Sequence, residues 1–247
     1  MKRQSKETHN EEFSYTGLDE LFISENMNNY NQFIVASAMK YFKEDDNIVD
    51  FGAGIGSLAM IFRDRFSKTV LCIEIDKVNQ RYLKERNLFF HKNLNELQGK
   101  VDAIFSSNVL EHILNDVEIL QKMKSQLKEG GTIFLYLPAK QVLWSELDSA
   151  VGHYRRYEKR ELRDKCALAG LDVVLIEYAD SIGFFASLLM KYVGYNPKNG
   201  IGSARSLLFY DKYIFHFSRF LDKLLLKHFF GKNIILVAKN NSCTSPE

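Results

Sequence analysis

Three glycines in the run Val49-Asp50-Phe51-Gly52-Ala53-Gly54-Ile55-Gly56-Ser57 fall where a buried strand should turn into a helix. Asn47 to Phe51 reads as the strand, because it is largely apolar and β-branched and follows the charged break Lys43-Glu44-Asp45-Asp46. Leu58 to Phe66 reads as the helix. Glycine at such a turn lets the backbone approach a ligand where a Cβ would clash, and it accepts positive φ. The helix start adds unpaired N–H groups. The pattern predicts an α/β fold with a nucleotide-like small molecule held at the turn.

The next strand narrows the ligand. Thr69 to Ile75 is apolar and carries an acid, Glu74, twenty positions after Gly54. A carboxylate at that strand's tip can accept hydrogen bonds from both hydroxyls of a ribose. A dinucleotide fingerprint needs G-x-G-x-x-G, but Ser57 stands at its sixth place and the third glycine, Gly56, comes one place early.

At these residues the chain resembles the class I S-adenosylmethionine-dependent methyltransferases of the type 11 and type 12 kind. Their first motif is similar to Val-Asp-Phe-Gly-Ala-Gly-Ile-Gly. Later segments keep the family's order: Val101 to Ile113 as the fourth strand and its loop, then Leu127 to Thr132 as the end of a helix and a glycine turn. Ile133 to Pro138 follows as the fifth strand, and Asn233 to Ala238 as the last. The resemblance implies a doubly wound, mostly parallel seven-stranded Rossmann-like sheet with an antiparallel last strand. An N-terminal helix and a helical insertion before the last strand complete it. S-adenosylmethionine is then the implied cofactor. Asp50, Gly52, Ala53, Gly54 and Gly56 would shape its loop, and Glu74 and Ile75 would meet the ribose. Asn93 and Leu94 would meet the adenine, with Asn93 keeping a carbonyl acceptor where the family usually has aspartate. Asn108 would border the methionine part. Tyr30, on a helix expected over Asn28 to Phe42, falls near the cofactor or serves packing.

Bulk properties bound the rest. At 247 residues the chain suits a single domain over 1–247 with a full α/β core. A net charge of +2 implies no polyanion partner, so nucleic acid is not expected. Cys72, Cys166 and Cys243 have no metal spacing and suit a reducing, cytoplasmic setting. Residues 1–12 read as a polar arm without a secretory signal, and 240–247 as a loose tail. The longest apolar run, Ile182 to Met190, is too short to span a bilayer.

The segment 183–232 separates the last two strands as a helical insertion broken at Pro197 to Gly202. From Ser206 to Phe230, Lys212, His216, Arg219, Lys223 and Lys227 form one polar stripe among Leu, Phe, Tyr and Ile. Such a segment can close over the pocket as a lid, form a homodimer face, or lie on an anionic membrane.

Methyl transfer is an in-line displacement, and a hydroxyl acceptor must also lose a proton. His112, after the Asn108-Val-Leu-Glu111 loop, and His153, in Gly152-His153-Tyr154-Arg155-Arg156-Tyr157, are the candidates for that base. His112 can instead bond a backbone group of its own loop, and His153 can serve only to position others. In methyltransferases with a similar Leu-Asp-x-x-x-Gly-His-x-Arg-Arg-Tyr segment, that loop borders the acceptor pocket. Tyr154, Arg155 and Arg156 are therefore expected to bind the acceptor, the arginines through a carboxylate or phosphate. Some quinone-pathway relatives are similar at Glu-x-x-Glu-His and hold a divalent metal there. Asn108 replaces the first acid here, and no metal is expected. The acceptor is expected to be a small molecule, sugar or lipid-linked compound methylated at oxygen. Two other readings remain open: a nicotinamide-dependent oxidoreductase and a non-catalytic S-adenosylmethionine binder. Ser57 and the last strand argue against the first, and the two histidine loops against the second.

Overall fold

The computed structural model describes residues 17–193 and 203–241. The arm at 1–12, the break at 197–202, Cys243 and the tail from 242 onward lie outside the described residues. Seven strands form one sheet in the order β3-β2-β1-β4-β5-β7-β6. They are β1 (Ile48–Phe51), β2 (Val70–Ile73), β3 (Phe90–His91), β4 (Val101–Ser107), β5 (Leu127–Pro138), β6 (Asp172–Ala179) and β7 (Asn233–Lys239). β1 to β5 pair in parallel, and β7 inserts antiparallel between β5 and β6.

Central strands buried on both faces should be almost continuously apolar, as β7 and the second half of β5, from Ile133 on, are. Ile133, Leu135 and Leu137 join one helical layer while Phe134 and Tyr136 join the other. The first layer is α5 (Asp116–Gln126) and α7 (Lys159–Leu168), through Leu120, Met123, Leu162 and Cys166. The second is α2 (Asn28–Ala38) and α3 (Ser57–Phe66), through Ile34, Val35, Ala38, Ala59 and Phe62.

Three local expectations are corrected. The N-terminal helix stops at Ala38 rather than Phe42, and Tyr41 beyond it is exposed. A further helix, α1 (Leu18–Glu25), precedes it. Leu127 to Thr132 belongs to β5 and is not a helix end, because α5 finishes at Gln126 and β5 starts at once; the expected glycine turn survives as a bulge in the strand, with Gly130 at φ 72°. A Cβ on Gly131 would lie 2.9 Å from the Lys128 carbonyl oxygen and 3.0 Å from that of Asp102. The glycine thus permits close strand approach where the β4–β5 register shifts.

The insertion comprises α8 (Ser181–Val193), then α9 (Ala204–Phe209), a π-helical turn (Tyr210–Ile214) and α10 (Phe215–Lys223). Asp211 on the π turn accepts hydrogen bonds from the N–H groups of Asn29 (3.1 Å) and Tyr30 (2.8 Å). Those groups open α2 and would otherwise be unpaired. No helix among the described residues is long and apolar enough to cross a membrane.

Gly56 ends the glycine loop at φ 85°, and a Cβ there would lie 2.5 Å from Leu88 Cδ1 and 2.8 Å from Leu83 Cδ2. Gly56→Ala should therefore destabilise the fold by about 1–3 kcal/mol through strain and overpacking. Urea unfolding measures this, and an unchanged midpoint would contradict the packing role.

Candidate active site

The strand order reverses between β1 and β4, and open α/β sheets bind ligands at the carboxyl ends of strands beside such a reversal. A cavity of about 720 Å³ lies there. A smaller hollow of about 400 Å³, lined by Asn47, Thr69, Phe89 and Val101, sits at the opposite ends of the same strands.

One end of the cavity is the glycine loop. Gly52 and Gly54 both have positive φ, and a Cβ on Gly52 would come within 2.3 Å of Val109 Cγ2. The N–H groups of Gly52 and Ala53 donate to the Ile73 carbonyl at 2.8 and 3.1 Å, latching the loop to the end of β2. Glu74 completes the latch: Oε2 accepts from the Gly54 N–H at 2.7 Å and Oε1 from the Asp76 N–H at 2.8 Å. Asp76 in turn caps α4 (Lys77–Glu85) through the N–H groups of Val78 and Asn79. Burial pushes the Glu74 carboxyl up, although these backbone donors oppose the shift.

Asp50 does not bond the glycine turn that follows it. Glu74 and the Ile73 carbonyl take that turn's N–H groups instead, and Asp50 Oδ2 is buried with no hydrogen-bond partner among the described residues. Burial and the neighbouring Glu74 charge push Asp50 up to about 7. Ile75, Asn93, Leu94 and Asn108 also line the cavity. Asn93 uses its Oδ1 to accept from the Asn95 N–H at 3.0 Å. Asn108 holds φ 53° while its N–H donates to the Tyr136 carbonyl at 2.8 Å.

Tyr30 lines the cavity but is tied into packing. Its hydroxyl donates to Asn233 Oδ1 at 2.9 Å and accepts from the Tyr136 hydroxyl at 3.0 Å, and its ring leans on Phe215. Gly56 faces Leu83 and Leu88 and is not among the cavity-lining residues.

The other end gathers the two histidine loops, with the rings of His112 and His153 edge to face at 4.6 Å. His153 Nδ1 lies 2.8 Å from Asp148 Oδ1. Burial opposes ionisation of Asp148, but hydrogen bonds from His153, Arg156 and Ser145 outweigh it and hold the carboxyl at about 2. An ionised Asp148 accepts only, so the proton of neutral His153 sits on Nδ1 and the lone pair on Nε2. Nε2 lies 3.8 Å from Glu111 Oε1. Glu111 is fully buried, neither oxygen has a hydrogen-bond partner among the described residues, and burial pushes it up to about 8. His112 is pushed down to about 4 by burial and by the adjacent His153, so it is neutral at physiological pH. Its backbone partners are Gly152 and Val151 of the facing loop, not its own.

The Gly-His-x-Arg-Arg-Tyr run sends successive side chains in different directions. Arg156 lines the cavity, donating from Nε to Asp148 at 2.9 Å and from Nη1 to the Ala139 carbonyl at 3.2 Å. Arg155 turns away: it donates to the Ile113 and Leu114 carbonyls and pairs with Asp116 at 2.7 Å, tying the two loops together. The Tyr154 side chain is more than half exposed. Neither Tyr154 nor Arg155 is among the cavity-lining residues.

Three cavity groups were not singled out from the sequence as site residues: Asp148, Glu111 and Lys232. The x-x-x spacing between Asp148 and Gly152 was the available signal for the first. Lys232 lines the cavity beside the Tyr30 ring, and burial lowers its pKa. Glu111, His112 and His153 also bring one ligand-type atom each within 4.8 Å of one another.

None of the curated protein sequences matches the chain. Solved structures share its fold. A S-adenosylmethionine-dependent methyltransferase from Archaeoglobus fulgidus is 16% identical, with TM-score 0.55 over 85% of this chain and 94% of its own. A Thermotoga maritima enzyme, a possible histamine N-methyltransferase, is 13% identical, with TM-score 0.55 over 90% of this chain and 94% of its own. The geranyl diphosphate C-methyltransferase of Streptomyces coelicolor A3(2) is 14% identical, with TM-score 0.52 over 79% and 73%. Residues 23–176 match the family described as "Methyltransferase domain". With that match over most of the chain, the glycine loop before α3 and the acid after β2, the chain belongs to the methyltransferase-domain family and is a class I S-adenosylmethionine-dependent methyltransferase.

Proposed function

We propose that the enzyme moves the methyl group of S-adenosylmethionine to a hydroxyl of a small-molecule, sugar or lipid-linked acceptor. The residues suit that cofactor. Asp50 Oδ2 is a buried acceptor that the described residues leave without a donor, and the glycine loop leaves space that side chains would fill. Glu74 would accept the ribose hydroxyls, Asn93 the adenine amino group, and Ile75 and Leu94 would flank the base. When bound, the sulfonium supplies an electrophilic methyl group and needs no further activation.

The observation that favours oxygen as the acceptor atom is the Asp148–His153 pair facing the cavity. Asp148 fixes the proton on Nδ1, which leaves Nε2 free to take the proton of an acceptor hydroxyl as the methyl–oxygen bond would form and the methyl–sulfur bond break, with S-adenosylhomocysteine as the leaving group. Protonated His153 is then stabilised by the Asp148 anion. Arg156 keeps Asp148 ionised and oriented.

Asp148→Asn should lower kcat by about 10²–10⁴-fold while S-adenosylhomocysteine affinity stays within about twofold. Production of S-adenosylhomocysteine with a panel of hydroxylated sugars and glycolipids is the assay, and an unaffected kcat would remove His153 from the base role. The same turnover should survive EDTA. Loss on chelation with recovery in Mg²⁺ would instead make Glu111, His112 and His153 a metal-holding cluster.

Isothermal titration should show S-adenosylhomocysteine binding that Glu74→Ala weakens about 10²-fold or more, the value of two charge-assisted hydrogen bonds. Undiminished binding would refute the ribose assignment. Asp50 gives a pH signature. Its folded pKa of about 7 lies above the ordinary carboxylate value. The folded state therefore holds the extra proton between about pH 4 and 7, and stability falls as pH rises through that window. Asp50→Asn should raise the ligand-free midpoint at pH 8 by roughly 1–3 kcal/mol, have little effect at pH 4, and weaken S-adenosylhomocysteine binding. A pH-independent difference in urea midpoints would contradict the account.

A further inference from the structure

The helix running through α9, the π turn and α10 is inside out. Its inward stripe carries Asp211, Phe215, Ser218 and Asp222, all buried. The polar members are fixed there by directed bonds. Asp211 holds the first N–H groups of α2. Asp222 accepts from the N–H groups of Asp180 (2.9 Å) and Ser181 (3.1 Å) at the start of α8, and from the Ser181 hydroxyl. Ser218 accepts from the Ile182 N–H at 3.0 Å and donates to Asp180 at 2.8 Å. These bonds set the helix's rotation, so its outer face is not adventitious. On that face Phe209, Tyr213, Phe217, Phe220 and Leu224 are each more than half exposed. Phe185, Leu189 and Tyr192 repeat the pattern on the adjacent α8, and the Phe185 ring meets that of Phe230 at 5.3 Å.

A soluble surface rarely carries so many contiguous large apolar side chains, and such patches mark docking or membrane contact. The charges say which. The only acids between residues 181 and 232 are Asp211 and Asp222, and both point inward. Among the described residues of this segment, the exposed charged side chains along α9 to α10 are basic, Arg205, Lys212 and Lys223, with Lys191 on α8, while Arg219 lies over the Phe33 ring of α2. A second copy docking face to face would oppose cations with cations. An anionic bilayer answers both properties, taking aromatic rings into the headgroup boundary and pairing the lysines and arginines with lipid phosphates.

We propose that the outer face of α8 to α10 docks the enzyme peripherally on an anionic lipid surface. Ser187 and Met190 of α8 and Leu207 of α9 also line the active-site cavity, so docking would place the cavity wall against the bilayer. Docking stands apart from the acceptor chemistry proposed above, and its failure leaves that reading intact.

Flotation of the full chain with vesicles, without cofactor or acceptor, tests the proposal. The protein should float with vesicles containing one-third phosphatidylglycerol and far less with pure phosphatidylcholine. Phe217→Ser with Phe220→Ser should lower partitioning at least about tenfold, and Lys212→Glu with Lys223→Glu should remove the anionic preference. Circular dichroism and unchanged S-adenosylhomocysteine binding would show that these variants fold. Failure of the wild-type chain to float with either vesicle would overturn the proposal. So would a concentration-dependent dimer, seen by light scattering, that the Phe217→Ser/Phe220→Ser variant loses.

Discussion

The bridge from Glu74 to the Gly54 and Asp76 N–H groups holds the cofactor end of this enzyme together. It joins the tip of β2 to the glycine loop after β1 and to the cap of α4 with one side chain. Because the carboxylate is buried, the bridge also fixes where negative charge stands in the cavity, and that charge adds to the burial that pushes the neighbouring Asp50 upward. Replacing a glycine with any side chain would separate the parts it connects, since Gly52 packs against Val109 and Gly56 against Leu83 and Leu88. The loop is therefore shaped by packing as much as by a ligand's demands.

The histidine end of the cavity is held by two acids acting in the same way on different arginines. Asp148 gathers His153, Arg156 and Ser145 on the cavity side. Asp116 gathers Arg155, Tyr157 and Lys165 behind it. Charge-assisted bonds of this kind are short and geometrically specific, so the loop between β5 and α7 presents its histidine at a fixed place although much of it is irregular. The insertion contributes in turn, because its inward acids secure the starts of α2 and α8, and both helices supply cavity wall.

Much of this was legible in the sequence where the signal was local. The strand, glycine turn and helix at 47–66 and the acid at 74 are contiguous patterns whose spacing carries the geometry. Asn93, Leu94 and Asn108 followed only from family resemblance and do lie on the cavity. Much of what escaped depends on distant residues meeting. Glu111 acquires its role only when its loop meets that of His153 in space, whereas Asp148 stands five residues before His153 and was missed despite a local spacing. Arg155 and Arg156 are adjacent in sequence, yet only the second faces the cavity, because Asp116 and Asp148 pull them apart. The insertion shows a different limit: an amphipathic pattern defines two faces but not which one is core, and here the acids went inward. The glycines at 130–131 signalled a turn, and a strand bulge uses both, Gly130 for its positive φ and Gly131 for close approach.

A crystal structure with S-adenosylhomocysteine tests the central claim most directly. The account predicts both ribose hydroxyls within hydrogen-bonding distance of the Glu74 carboxylate, the adenine between Ile75 and Leu94, and the sulfur turned towards His153. Density for the ligand away from the glycine loop, or a ribose with no contact to Glu74, would contradict it.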